Sequence, residues 1–144
     1  MEDGAEKFIP RGIRNNNPGN IKKNNIEWDG LVSEEEQKDN TFFIFKSPEF
    51  GIRALTKILI TYRKTHDLYN IWGITNRYAP PSENNTEAYK NFLINETKYA
   101  MLETIPFTIK GYLPIVKAII KMENGDQPYD NNTIIKGMHL AWQN

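Results

Sequence analysis

The chain has 144 residues, 18 basic and 18 acidic side chains, 39% hydrophobic and 12% aromatic residues, and no cysteine. That length suits one domain with a sizeable core, and the composition is too apolar for a disordered chain. Zero net charge provides no global field for nucleic acid or a membrane surface, and the absence of cysteine excludes disulfides, thiol nucleophiles and thiolate-bound zinc.

Residues 1–10 read as a flexible tail, and the polar, acidic start carries no signal-peptide pattern. Residues 11–23, RGIRNNNPGNIKK, read as a loop: Pro18-Gly19 is a turn signal and the asparagines bond nearby backbone. Residues 26–32, with an Asp29-Gly30 turn, and the aromatic run at residues 41–45 predict a small antiparallel β-ribbon that must pack on helices. Ser47-Pro48-Glu49 starts a helix, with Ile52, Leu55, Ile58, Leu59 and Tyr62 on one face up to about Lys64. A shorter helix covers about residues 70–77 and stops before Ala79-Pro80-Pro81. Another starts at Asn85 or Thr86, with Ala88, Tyr89, Phe92 and Leu93 on one face. Tyr99 to Leu102 is a candidate short helix. Pro114 starts a strongly apolar helix that ends at Asn124-Gly125, and a last one runs from about Thr133 to Trp142. The fold class is therefore mainly α (α+β), a single domain over residues 1–144.

Glu123 is the most informative single residue. It ends an apolar helix, where the negative pole of the helix dipole opposes its charge; burial would raise its pKa further. A carboxyl kept protonated near neutral pH can serve as a general acid. The bland alternative is a solvated glutamate at a helix end. Residues 76–86, NRYAPPSENNT, are either a rigid turn and cap or a groove wall offering Tyr78 for stacking and Glu83 or Asn85 for hydrogen bonds, as a sugar ring requires. Arg11, Arg14, Lys22 and Lys23 form at most a small basic patch, and no nucleic-acid motif accompanies them. His66 and His139 fit no triad or metal-ligand spacing, and no apolar run approaches a membrane span. Asn, Ile and Lys number 17, 18 and 13, a composition bias that discounts Asn24, Asn25, Asn131 and Asn132 as individual signals.

Several segments occur in this order in a family of small bacteriophage proteins described as virion or structural proteins. They are RGIRNNNPGNI, W-x-G at residues 28–30, Q-x-D-x-x-F-x-x-F at residues 37–45, SPEFGIRAL, NRYAPPSENNTEAY and AIIKMENGDQPY. The chain resembles that family from Arg11 to Trp142. More distantly, residues 16–22 resemble the N-N-L-F-G-I-K stretch of bacterial glucosaminidases and lysozyme-like transglycosylases, and Tyr78-Ala79 through Tyr89 is similar to their Y-A-T-D segment. In those enzymes an apolar helix ending E-S-G precedes the asparagine motif, whereas here the similar helix ends Glu123-Asn124-Gly125 near the other end of the chain. The resemblance therefore implies a circularly permuted lysozyme-like domain with its last helix leading back toward residues 11–22.

It further implies cleavage of β-1,4 linkages in peptidoglycan, with Glu123 as the acid. Asp39, in the Q-x-D motif, is the candidate second carboxylate if the enzyme is a hydrolase, with Glu35 and Glu36 in reserve; a lytic transglycosylase needs only one. Asn20, Tyr78, Glu83, Asn85 and Tyr129 would contact substrate. No cofactor or metal is expected, and neither nucleic acid nor membrane insertion. The partners would be host cell-wall peptidoglycan and other virion proteins. Such a protein would reside in the virion, or in the host cytoplasm before release, and act in the periplasm and cell wall. A non-catalytic virion module of the same shape remains the alternative.

Overall fold

The computed structural model describes residues 8–143. The expected N-terminal tail therefore lies outside the described residues as far as residue 7. Among the described residues the helices are α1 (Arg11–Arg14), α2 (Pro48–His66), α3 (Ile71–Tyr78), α4 (Thr86–Thr97), α5 (Ile109–Asn124) and α6 (Asn131–Trp142), with one 3-10 turn at Glu34–Glu36. The mainly helical expectation holds.

Local capping explains most boundaries. The Asn70 side chain accepts from Gly73 N–H to start α3, and Asn85 does the same for Ala88 N–H at α4. Asp130 caps α6 through Thr133 N–H, two residues ahead of the expected start. Proline leads α2 as expected, but Ser47 makes no side-chain cap bond, and the helix continues to His66 before Asp67 turns it left-handed at φ 58°. Helix α5 departs furthest from expectation. It begins at Ile109, with Thr108 Oγ1 accepting from Gly111 N–H at 2.9 Å, and Pro114 lies inside it. A proline in the second turn loses only the bond back to residue 110. Gly111 allows this start, because a Cβ there would come within 2.1 Å of the Pro106 carbonyl. Tyr99 and Ala100 have no regular structure and Met101-Leu102 form a turn, in place of the expected short helix.

Among the described residues the predicted ribbon is reduced to two isolated antiparallel bridges, Lys22 with Phe42 and Leu31 with Phe45. Main-chain partners serve part of residues 41–45, with Lys23 N–H on Thr41 O, Phe43 N–H on Ile21 O, Val32 N–H on Ile44 O and Phe45 N–H on Asn15 O, and side chains complete the rest. Gln37 donates to Ile44 O (2.8 Å) and accepts from Ile44 N–H (2.9 Å). Asn17 donates to Phe43 O and Ile21 O and accepts from Ile21 N–H. Asp39 accepts from the N–H groups of Thr41 and Phe42. Phe43 and Phe45 of the segment are buried, as their residue types demand, and its backbone is satisfied by main-chain partners together with two amides and a carboxylate. Phe43 and Phe45 then pack with Ile21 and Ala54 of α2 in a small second core.

The main core lies between α2 and the helices α3 to α6. Gly137 of α6 lies against Glu49 and Ile52 near the start of α2, while Trp142 packs on Phe107 and Tyr112 at the start of α5. So α6 runs parallel to α2 and antiparallel to α5. This corrects the expected return of the last helix toward residues 11–22: α6, 12 residues long, carries the chain away from that loop by about 18 Å along α5. The loop is met directly by the other end of α5, where Asn124 Nδ2 donates to Pro18 O at 2.8 Å.

Candidate active-site cleft

A cleft of about 560 Å³ opens where the α5 C-terminus, residues 19–22, α2 and the α3–α4 loop converge. Glu123 lies in its wall, half-buried in the last turn of α5. Its Oε1 accepts from Asn20 Nδ2 and its Oε2 from the Tyr89 hydroxyl, both at 2.9 Å. Burial raises the carboxyl above its ordinary pKa, and the two hydrogen bonds oppose that rise. The group is thus fixed in orientation and biased toward its protonated form, the requirement for a general acid.

Asn20 reaches Glu123 from the far end of the sequence because residue 20 adopts φ 51°, a left-handed conformation that asparagine tolerates. Its Oδ1 is buried without a hydrogen-bond partner, as is that of Asn124. Both oxygens crowd Gly12, where a Cβ would sit 2.6 and 2.5 Å from them. Gly12 is therefore the residue that lets α1 touch the end of α5.

The other expected site residues separate into two groups. Tyr78 and Glu83 line the cleft with Asn20. The Tyr78 hydroxyl donates to Gly19 O, and its ring lies 6.4 Å from that of Tyr89, so it fixes the cleft floor. Glu83 pairs with Lys22 at 2.9 Å, an exposed bridge between two cleft-lining segments. Asp39, Asn85 and Tyr129 are not among the lining residues. Asn85 is the exposed cap of α4. Tyr129 sits toward Glu49 at the start of α2, its buried hydroxyl unpartnered and its pKa pushed up to about 12 by burial and the Glu49 charge.

Asp39 is a staple. Arg11 donates to both of its oxygens at 2.7 Å, and Asn15, Thr41 and Phe42 supply three more donors. The guanidinium first, then the backbone and amide donors, hold the carboxyl well below the usual range. Its side chain is only 8% exposed beneath these partners. Glu35 and Glu36 lie exposed in the 3-10 turn. Among the described residues no cluster suited to a metal ion occurs.

Two residues with direct bearing on the cleft escaped the sequence reading. Tyr89 looked like a core position, yet a buried phenol needs a partner, and that need was the available signal. Arg77 lines the cleft with its guanidinium 5.6 Å from the centre of the Tyr62 ring.

No family model matches the chain. It is 42% identical over 135 residues to Protein P5 of Pseudoalteromonas phage PM2, a match that spans 92% of this chain and 82% of that protein. The chain belongs to the family of this phage protein. About a dozen residues at most fall outside the match, so the whole cleft of this P5-family chain, from Gly19 to Glu123, lies within it. Among the described residues, no helix of this P5 relative is long and apolar enough to cross a membrane.

Proposed function

We propose that this phage protein is a virion-associated enzyme that cleaves β-1,4-linked peptidoglycan glycan, with Glu123 as the proton donor. The supporting observation is the half-buried Glu123 carboxyl, raised in pKa and aimed by Asn20 and Tyr89 at a cleft of sugar-sized volume. Glu123 gives its proton to the glycosidic oxygen as the C–O bond breaks, and charge develops at the anomeric carbon. Because Asp39 lies outside the cleft lining and five donors hold it ionised, the completion we favour uses one carboxyl: Glu123, now ionised, takes the proton of an attacking hydroxyl. That hydroxyl belongs to the sugar itself in a lytic transglycosylase, or to water in a hydrolase. Tyr78, Asn20 and Glu83 would hold the strand.

A lysozyme-like scaffold in permuted order is part of this proposal. It is supported by the contact of Asn20 with Glu123, residues 103 apart in the chain. The permuted junction would then be the approach of α1 to the end of α5, with α6 as an addition. We place the protein in the virion, or in the host cytoplasm before release, with peptidoglycan and other virion proteins as partners.

The second reading is a non-catalytic virion component, and kinship with Protein P5 of phage PM2 favours it. Purified cell walls separate the two. Wild type should reduce their turbidity and Glu123→Gln should not, with the fold intact. Mass spectrometry of the products then assigns the chemistry: anhydro ends mean transglycosylation, reducing ends hydrolysis. Walls left intact by wild type favour the structural reading, and equal clearing by both proteins refutes Glu123 as the acid.

A further inference from the structure

We infer that the cleft continues into a second sugar-binding site built around Trp72. The inference rests on the glycan reading of the cleft, but not on cleavage. Beyond the cleft lies a second cavity of about 400 Å³, lined by His66, Leu68, Trp72, Gly73, Asn76 and Arg77. Arg77 lines both cavities. On α2, Ile58 and Tyr62 belong to the cleft wall and His66 to the second cavity, one stripe at four-residue spacing that runs about 12 Å. Tyr62 joins the two: its ring meets His66 edge-on at 6.5 Å and carries Arg77 at 5.6 Å. On α3, Trp72, Gly73, Asn76 and Arg77 lie on one face.

The chemistry of this second site fits a pyranose ring. Trp72 is 48% exposed, an uncommon state for an indole, and it stands beside an amide, an imidazole and a guanidinium. Among the described residues Arg77 has no carboxylate partner, so its charge is available to an acidic substituent of a glycan strand. The two cavities meet at Arg77, so a strand long enough to pass it would occupy both while a short one would fill the cleft alone.

The test is calorimetric titration of the full chain with β-1,4-linked N-acetylglucosamine dimer and hexamer. Glu123→Gln in every sample keeps the sugars intact. Trp72→Ala should weaken hexamer binding about tenfold and leave dimer binding unchanged, and Trp72→Phe should restore most of the loss. The Trp72 indole N–H resonance should shift with hexamer and stay in place with dimer, a readout that does not depend on the variants folding. Unchanged hexamer affinity in Trp72→Ala, equal weakening for both lengths, or no hexamer binding at all overturns the inference. So does an effect of Trp72→Ala confined to association with another protein, which would make the surface a protein-docking site. If wild type cleaves no wall but hexamer binding still depends on Trp72, the cleavage reading falls and this one stands. If walls are cleaved and Trp72 is indifferent, only this one falls.

Discussion

Replacing Asn17 by alanine tests the claim that side-chain amides complete the backbone bonding between residues 21 and 43 beside the cleft. The Asn17 side chain is fully buried and makes three hydrogen bonds of 2.9 to 3.0 Å to the backbone of Ile21 and Phe43. Truncation removes all three and leaves the Phe43 carbonyl and the Ile21 N–H without a partner, while the Ile21 carbonyl keeps the Phe43 N–H at 3.1 Å. At a net loss of about 1 kcal/mol per bond, the cost is about 3 kcal/mol. That is a large share of the roughly 5–15 kcal/mol a domain commands. With a urea slope of about 2 kcal/mol/M, the unfolding midpoint should fall by about 1.5 M at unchanged slope. Asn17→Asp should do worse, because the carboxylate would face two carbonyl oxygens and could donate to neither. A fall of less than about 0.5 M in Asn17→Ala, or an aspartate variant as stable as wild type, would refute the stapling account.

Asp39→Asn should destabilise the protein at neutral pH and leave wall clearing near wild type. Because the folded pKa of Asp39 is lowered, its stabilisation is full above the ordinary aspartate value of about 4 and drains away as pH falls below it; the gap between variant and wild type should close in acid. Glu123 has the opposite sign. Its raised folded pKa means the native state holds an extra proton just above the ordinary glutamate range, so stability declines as pH rises through that window, and Glu123→Gln should abolish this part of the decline in urea titrations at stepped pH. Tyr89→Phe removes a donor to the ionised carboxyl, raising the Glu123 pKa further and moving the alkaline limb of the kcat profile to higher pH; a limb that moves down contradicts the assigned role. Thr108→Ala should cost about 1 kcal/mol by thermal melting, since it uncaps α5.

The helices were legible because their signals are local. Apolar spacing identifies the buried stripe of α2, and single polar residues at positions 70 and 85 cap α3 and α4. Two misreadings have a common origin in the missing context. Pro114 has the form of a first helical residue, but Thr108 and Gly111 together make an earlier start cheaper, and the room for it comes from contact with Pro106. The aromatic run at residues 41–45 does specify a buried extended chain. Its pattern says nothing about what satisfies the backbone, and here the answer comes from the main chain of residues 15, 21, 23 and 32 together with the side chains of Asn17, Gln37 and Asp39. The Q-x-D spacing was visible in the sequence; that it marked two staples became clear only from where Arg11, Asn15 and Ile44 stand.

The same consideration separates the two carboxyls that the sequence left as candidates. Composition bias makes asparagine a weak signal in this chain, and yet Asn15, Asn16, Asn17 and Asn20 each donate to a distinct partner. Asn15 supplies one of the five donors on Asp39, which remains ionised because so many partners prefer it charged. Asn20 is one of only two side-chain donors on Glu123, too few to offset its burial. An acid catalyst must give up a proton that its surroundings allowed it to keep, and a fully stapled carboxylate holds none to give. Of the two, Glu123 alone has the surroundings of a proton donor, because its helix end is sealed against the Asn20 loop and Tyr89 while its open side faces the cleft.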